Sequence, residues 1–282
     1  MKFAKIQALG NDYIFINCTK GYEKVENPEE LTKKLVEPHF GIGADGMILI
    51  CDSNKADFRM RIFNRDGSEG EICGNGIRGV GKYVFDFGLT RKEEITIETL
   101  AGIKNLKLNI NKGKVSSVKV DMGEPIFDHN KIPIICDNDK NIIKLNLFGK
   151  IFNFHCLSTG NPHAVTLIND VEKFDVDKYG KIVQSDEHFP KKINVEFVQI
   201  IDKKTIKMRA YERGSGETLA CGTGACAALF SSSIIALTET NVRVKLLRGF
   251  LDLEYNENDN HIYMTGPTVL VFKGEIDLDQ FE

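Results

Sequence analysis

Two cysteines of this chain each stand directly before a glycine-rich turn, Cys73 in Cys73-Gly74-Asn75-Gly76 and Cys221 in Cys221-Gly222-Thr223-Gly224. A helical pattern follows the first turn and an uncharged segment of helical length follows the second. At a helix N-terminus, free N–H groups and the positive end of the dipole stabilise an anion, which favours a reactive thiolate. The glycines also let backbone N–H groups approach a bound carboxylate or phosphate closely.

Two such turns, facing each other across a cleft between domains, suit inversion at a carbon that bears an acidic hydrogen. One thiolate removes the proton, and the opposing thiol delivers another proton to the other face. The two cysteines must then hold different protonation states, and their titrations are expected to be coupled.

The two turns belong to a longer internal repeat. Phe63-Asn64-Arg65 precedes the first turn as Tyr211-Glu212-Arg213 precedes the second, at one constant offset along the chain. An earlier pair, Gly10-Asn11-Asp12-Tyr13 and Gly160-Asn161-Pro162-His163, occurs in the same order. Because a repeat of this length marks a duplicated structural unit, we predict two similar domains.

Alternating apolar residues after each helix predict strands. These runs are Ile95–Thr99, Leu106–Ile110, Val118–Met122, Val242–Leu246, Leu251–Tyr255 and His261–Met264. The predicted fold class is therefore α+β, with two pseudo-symmetric domains that each wrap a mostly antiparallel sheet around a central helix. We predict an N-terminal domain over residues 1–120, completed by 271–282, and a C-terminal domain over 121–270.

Composition excludes several classes of protein. The 282 residues carry 37 Lys and Arg against 40 Asp and Glu, so no general attraction to nucleic acid or to an anionic membrane is expected. The N-terminus lacks the apolar core of a secretory signal, and seven cysteines is an odd number, so we expect free thiols in the cytoplasm. The uncharged stretch from Thr218 to Thr238 is rich in small and hydroxylated residues, which predicts a buried helix rather than a membrane span.

The remaining cysteines lack the glycine-rich context, and we interpret them as small buried hydrophobic residues: Cys18, Cys51, Cys136, Cys156 and Cys226. A dinucleotide site at Gly74–Gly79 is disfavoured because no buried apolar strand precedes it. Zinc binding by His163, Cys221 and Cys226 is disfavoured because the cysteine spacing is unusual for ligands, so no metal is expected.

The whole constellation resembles the diaminopimelate epimerases, a family of PLP-independent amino-acid epimerases. The matching motifs span nearly the whole chain: Leu9–Asp12, His39–Gly46, Phe63-Asn64, Asp66–Ser68, Cys73–Gly76, Met122–Pro125, Gly160–His163, Tyr211–Gly214 and Ala220–Cys226. The resemblance implies epimerisation of LL- to meso-diaminopimelate in lysine and cell-wall precursor biosynthesis. It also implies no cofactor, a small-molecule substrate and a homodimer.

The resemblance assigns roles residue by residue. Cys73 and Cys221 would be the two acid/base residues, and the backbone N–H groups of Gly74-Asn75 and Gly222-Thr223 would hold the carboxylate at the reacting carbon. The distal end of the substrate would be bound by a polar set comprising Asn64, Asn161, Asn194 and Arg213. Asn11, His163 and Glu212 would lie beside the reacting amino group and the cysteines. Many relatives carry Gln where this chain has Gly46, so one side-chain contact from that loop is missing here.

Two other functions stay open at this point. The proline racemases and hydroxyproline epimerases share the fold and the two cysteines, although they usually show His where this chain has Asn75. A non-catalytic protein in which Cys73 and Cys221 act as a dithiol redox switch is the second alternative.

Overall fold

The computed structural model describes residues 1–136 and 140–280. These residues form two compact units, one from Met1–Val120 together with the segment that begins at Thr265, and one from Asp121–Met264. The sequence predicts this return to the first domain at residue 271.

The first unit contains an antiparallel-rich sheet and two helices. In chain order its elements are β1 (Lys2–Ala8), β2 (Asn11–Asn17), α1 (Pro28–Val36), β3 (Gly46–Cys51), β4 (Phe58–Asn64), β5 (Glu69–Gly70), α2 (Gly74–Asp86), β6 (Glu94–Thr99), β7 (Gly102–Asn111) and β8 (Lys114–Gly123). Strand β1 pairs antiparallel with β2, which runs parallel to β3. Strand β4 pairs antiparallel with β3 and parallel with β6, and β7 joins β6 to β8 through antiparallel ladders.

Helix α2 packs against strands β1, β2, β4 and β7 of this sheet. Its glycines permit that close approach, since a Cβ on Gly81 would lie 2.9 Å from the Leu108 side chain. The helix ends before Gly88, whose φ of +79° is the left-handed conformation that glycine adopts readily at a helix C-terminus. The sheet and the helix glycines therefore fix where the Cys73 turn lies.

The second unit repeats this arrangement. Its elements are β9 (Ile142–Leu147), β10 (Lys150–Ser158), β11 (Pro162–Leu167), α3 (Val176–Gln184), β12 (Asn194–Asp202), β13 (Thr205–Glu212), β14 (Gly216–Thr218), α4 (Gly222–Ile234), β15 (Asn241–Leu246), β16 (Gly249–Asn256) and β17 (His261–Pro267). Strand β11 pairs antiparallel with β10 and parallel with β12, and β13 pairs antiparallel with β12 and parallel with β15. Helix α4 packs against β10, β11, β12, β13, β15 and β16.

The last strand, β18 (Val269–Glu275), belongs to the first unit and pairs antiparallel with β1. Short 3₁₀ helices cover His129–Lys131 and Leu278–Gln280. Parallel pairs at β2/β3 and β4/β6 recur at β11/β12 and β13/β15, so the repeat read from the sequence extends to the hydrogen-bonding pattern of both sheets. The α+β fold of two similar sheet-and-helix units is confirmed.

The uncharged stretch around Cys221 folds into α4, and its residues from Ala225 to Ser232 are buried. Small side chains explain this, because they allow strands to approach the helix from every side. Within residues 1–136 and 140–280, no helix is long and apolar enough to cross a bilayer.

Candidate active site

The first half-site is built on the N-terminus of α2. Cys73 is the N-cap residue, in an extended conformation, and its Sγ accepts a hydrogen bond from the backbone N–H of Gly76 at 3.4 Å. Gly74 and Asn75 form the first turn of the helix, where backbone N–H groups have no intrahelical acceptor. The sulfur therefore lies beside the donors that a bound carboxylate would use.

Two side chains of β2 reach the sulfur of Cys73. The Tyr13 hydroxyl donates to Sγ at 3.4 Å, and the thiol is 3.5 Å from Asn11 Oδ1, to which it donates when protonated. Burial raises the pKa of Tyr13 well above its usual range, and the neighbouring Cys73 raises it further, so the phenol stays a donor. Asn11 is itself oriented by Asp45, whose carboxylate accepts from the Asn11 amide at 2.8 Å.

A buried cation supports the same turn. Arg78 is fully buried and its guanidinium runs back along α2, donating to the Gly74 carbonyl at 3.0 Å and to Asn75 Oδ1 at 2.8 Å. The Asn75 amide in turn lies 3.4 Å from Asn11 Oδ1. One hydrogen-bonded chain thus links the helix turn to β2 and holds positive charge beneath the first half-site.

The second half-site has the same cap on α4. Cys221 is the N-cap residue, is 4% exposed, and its Sγ accepts from the backbone N–H of Gly224 at 3.3 Å. The Thr223 hydroxyl lies 3.5 Å from the sulfur. Gly222 and Thr223 supply the first-turn N–H groups here.

A buried chain of polar side chains lies under Cys221. His163 and Glu196 are both completely buried, and His163 Nδ1 lies 2.7 Å from Glu196 Oε1. The other ring nitrogen, Nε2, lies 2.8 Å from Asn161 Oδ1. Both ring nitrogens are thus engaged, so the imidazole and the Asn161 amide group hold each other in a fixed orientation.

Glu196 also approaches the Cys221 cap. A Cβ on Gly224 would lie 2.5 Å from Glu196 Oε1 and 3.1 Å from Cys221 Sγ, so only glycine fits between the carboxyl group and the sulfur. Burial raises the pKa of Glu196, and contact with His163 opposes that rise. Burial also raises the pKa of the Cys221 thiol well above its usual value, and the carboxylates of Glu212 and Glu196 raise it further.

Three other predicted residues lie at the ends of β12 and β13. Asn194 is buried, donates to the Pro162 carbonyl at 3.2 Å, and accepts from the backbone N–H of Arg213 at 2.8 Å. The Arg213 side chain is exposed, with one guanidinium nitrogen 3.4 Å from the Lys191 carbonyl. The Glu212 carboxylate accepts a hydrogen bond from the Thr218 hydroxyl, which fixes its direction.

Asn64 lies at the exposed end of β4, where its amide donates to Ser68 at 3.1 Å rather than to the Cys73 cluster. Gly46 pairs with Asn64 across β3 and β4. A Cβ on Gly46 would collide with the Phe63 carbonyl and the Tyr13 ring. Packing in this chain therefore requires glycine at position 46. The Gln side chain that many relatives carry there is absent.

Sequence reasoning missed Tyr13, Arg78 and Glu196. Tyr13 stood inside the repeat motif, matched to His163, and that match was the available signal. Arg78 and Glu196 occupy positions where the other unit has Cys226 and Ile48, so the repeat gave no hint of them. Within the described parts of the chain, no cluster of three His, Cys, Asp or Glu side chains is placed to hold a metal ion.

The arrangement can do proton transfer. Each unit offers a thiol at a helix N-terminus, adjacent amides that suit a carboxylate, and polar side chains beside the sulfur.

Comparisons with known proteins agree with these features. The family model for diaminopimelate epimerase matches residues 3–127 and 155–271. Proteins named diaminopimelate epimerase from Acetivibrio thermocellus and Methanococcus maripaludis are 54% and 53% identical, each over 99% of this chain and 100% of its own length. The structure of a hydroxyproline epimerase from Agrobacterium vitis matches with a TM-score of 0.70 at 14% identity, over 99% of this chain and 93% of the other. A phenazine biosynthesis protein of the PhzF family from Bacillus anthracis matches at 0.70 and 17%, over 98% and 99%. The chain belongs to the diaminopimelate epimerase family.

Proposed function

We propose that this protein interconverts LL- and meso-2,6-diaminopimelate by two-base proton transfer without a cofactor, in which one of Cys73 and Cys221 removes the α-proton and the other delivers a second proton to the opposite face. The observation that carries the proposal is the duplicated cap, in which each cysteine begins a buried helix beside free backbone amides. The substrate is inferred from the names of the full-length relatives and their high sequence identity to this chain.

In the free protein Cys221 carries the proton, so Cys221 is the proton donor in the direction that uses this protonation state. Burial raises the pKa of its thiol, and Glu212 and Glu196 add negative charge nearby, so the sulfur keeps its proton. Two-base inversion requires the other cysteine to accept, which makes Cys73 the base in this direction. The reverse direction uses the opposite protonation state.

The helix N-termini stabilise the charge that develops. Removing the α-proton pushes electron density into the adjacent carboxylate, and the N–H groups of Gly74, Asn75, Gly222 and Thr223 are the donors proposed to hold it. The dipoles of α2 and α4 add to this effect. Such preorganised donors replace the electron sink that a cofactor would supply.

Polar side chains select the substrate. Asn64, Asn161, Asn194 and Arg213 are proposed to bind the distal amino-acid end, and the guanidinium of Arg213 suits a two-pronged contact with its carboxylate. Asn11, His163 and Glu212 are proposed to act beside the reacting amino group and the two cysteines. Support comes from the fixed orientations of Asn11, Asn161 and Glu212 described above.

The test is α-proton exchange. The reduced protein is incubated with LL-diaminopimelate in D₂O, and the α-proton signal is followed by NMR, with and without a chelator. We expect exchange together with epimerisation, without added PLP and unchanged by the chelator. Absence of exchange would contradict the proposal, and exchange of proline in place of diaminopimelate would favour the proline racemase alternative.

We also propose a homodimer that works in the cytoplasm. Strand β18 pairs with β1, and its side chains Val269, Val271 and Phe272 are 48%, 52% and 45% exposed, an apolar row that suits a second copy of the chain. The proton transfer needs both thiols reduced, which fits a reducing compartment. Sedimentation of the protein and of Val271→Asp tests the dimer, and a wild-type monomer at micromolar concentration would refute it.

A further inference from the structure

Cys18 and Cys51 lie opposite each other on neighbouring strands of the first unit. The parallel ladder of β2 and β3 pairs Asn17 with Ile50. The backbone N–H of Cys18 donates to the Ile50 carbonyl at 2.7 Å and continues the ladder by one residue. Directly opposite residues in a sheet point to the same face, and neighbouring strands are about 4.8 Å apart, which lies within the Cα–Cα range of disulfides.

Both thiols lie at the rim of the same apolar cluster and are half-buried rather than buried. They therefore pack against the core, as the sequence predicts, but unlike the buried Cys156 and Cys226 they keep part of their surface exposed. Cys51 is the last residue of β3, and Cys18 directly follows the last residue of β2.

Positive charge lies on the same face of the sheet. Cys51 pairs across β3 and β4 with Arg59, and two residues further along the same face Leu49 pairs with Arg61. Arg61 is held by a two-pronged contact with Glu69, at 2.8 and 2.9 Å. The acidic groups in the neighbourhood are Asp52, next to Cys51 in the chain, and Glu23, which is near Cys18.

The two thiols have different protonation tendencies. A hydrogen bond from Cys18 lowers the pKa of Cys51, and Arg61 and Arg59 lower it further, although burial opposes them. The same hydrogen bond raises the pKa of Cys18, and burial adds to that rise. A low-pKa thiol beside a second thiol is the arrangement found at oxidant-sensitive cysteines.

We propose that Cys18 and Cys51 form an oxidation site in which Cys51 reacts first with a hydroperoxide and Cys18 then closes a disulfide. In the first step the Cys51 thiolate attacks one peroxide oxygen, the O–O bond breaks, and sulfenic acid and water form after proton uptake. In the second step the Cys18 sulfur attacks the sulfenic sulfur and releases a second water. Hydrogen peroxide is thus reduced to two waters while two thiols become one disulfide.

This site is separate from the proposed chemistry. Neither cysteine belongs to the Cys-Gly-x-Gly turns, and the corresponding positions of the second unit hold Ile168 and Gln199, so no copy of the pair exists there. Oxidation of Cys18 and Cys51 therefore does not depend on the epimerase proposal.

Peptide mapping of the full-length protein tests the proposal. The reduced protein is treated with a few equivalents of hydrogen peroxide, blocked with N-ethylmaleimide and digested with trypsin without reductant. We expect peptides 6–20 and 35–55 to appear as a disulfide-linked species in most molecules and to separate again with dithiothreitol. In Cys18→Ser we expect Cys51 to be trapped as a sulfenic acid by dimedone.

The matched control is Cys136→Ser, a half-buried cysteine of the second unit, which should leave the 6–20 and 35–55 linkage unchanged. Two results would overturn the proposal. One is the absence of that linkage while other cysteines oxidise. The other is Cys51 of the Cys18→Ser protein reacting with dimedone no faster than Cys136. Because the readout is mass, loss of catalytic activity does not affect it.

Discussion

The strands beneath the two cysteine caps differ at two matched positions. Tyr13 pairs with Gly46 in the first unit as His163 pairs with Asn194 in the second, so phenol and imidazole occupy corresponding places. At the third residue of α2, a Cβ on Gly76 would meet Ile48. At the third residue of α4, a Cβ on Gly224 would meet Glu196. The first cap therefore rests on an aliphatic side chain and the second on a carboxyl group.

The helices differ in the opposite sense. Four residues after the first helical glycine, α2 carries the buried Arg78 and α4 carries the buried Cys226. The first half-site thus contains a buried cation, and the second contains a buried acid with Glu212 nearby. Duplicated backbones that present the same N-cap therefore carry different buried ionisable side chains, an arginine beneath the first cap and a glutamate beneath the second.

The largest effect is expected from removing either sulfur. Cys73→Ala and Cys221→Ala should each lower kcat by about 10³-fold or more, because each deletes one of the two proposed proton-transfer groups. Binding of a substrate analogue should be largely kept. Steady-state kinetics in both directions measure this, with Cys136→Ala as the control, and near-normal turnover in either variant would show that the two halves are not both used.

A smaller loss is expected at Glu196. Glu196→Leu leaves His163 Nδ1 buried without a partner, and a lost contact of about 1–3 kcal/mol corresponds to roughly a ten- to hundredfold fall in kcat/KM. Glu196→Gln can still hydrogen-bond to His163 and should restore most of the loss. A pH profile of kcat separates a positioning effect from simple unfolding. Because Glu196 raises the pKa of Cys221, the alkaline limb of the Glu196→Gln profile should lie at lower pH than that of the wild type.

Equal activity of the Glu196→Leu and wild-type proteins would make the Glu196–His163 contact irrelevant to the second half-site. The exposed Glu172, in the same unit, is the control, and Glu172→Gln should behave as the wild type.

The weakest effect is expected in the first half-site at Tyr13. Tyr13→Phe removes one hydrogen bond to the Cys73 sulfur, which amounts to about tenfold or less in kcat/KM. Tyr83→Phe is the matched control, because Tyr83 is also largely buried in the first unit and stacks on Phe15 and Phe87. A Tyr13 variant as active as the Tyr83 variant would show that the phenol does not support Cys73.

The sequence predicted the features that depend on local pattern. Cys-Gly-x-Gly and the apolar spacing after it report an N-cap directly, so the position of Cys73 and Cys221 at helix starts was readable. The alternation of Val242–Leu246 is that of a half-buried strand, and β15 covers it. The sequence match between Asn11 and Asn161 also identified equivalent positions in the two units.

Features that depend on contacts between distant strands were not readable. Glu196 sits in the run Asn194–Val198, all of it buried, where the pattern alone predicts an apolar residue. Only the fold brings His163 within 2.7 Å of it, 33 positions away in the chain. The spacing of Cys18 and Cys51 likewise gave no sign that a parallel ladder places them side by side.

The central claim is that burial of the thiol, together with Glu212 and Glu196 nearby, keeps the proton on Cys221. The direct test is the pH dependence of its alkylation, followed by mass spectrometry in the wild type and in Glu196→Gln. Because burial and the two carboxylates raise the pKa of Cys221, the account predicts that the labelling rate rises mainly above the ordinary thiol pKa of about 8.5, and that the Glu196→Gln substitution moves the rise to lower pH. A wild-type rise complete below that pH, or one that the substitution leaves in place, would contradict the account.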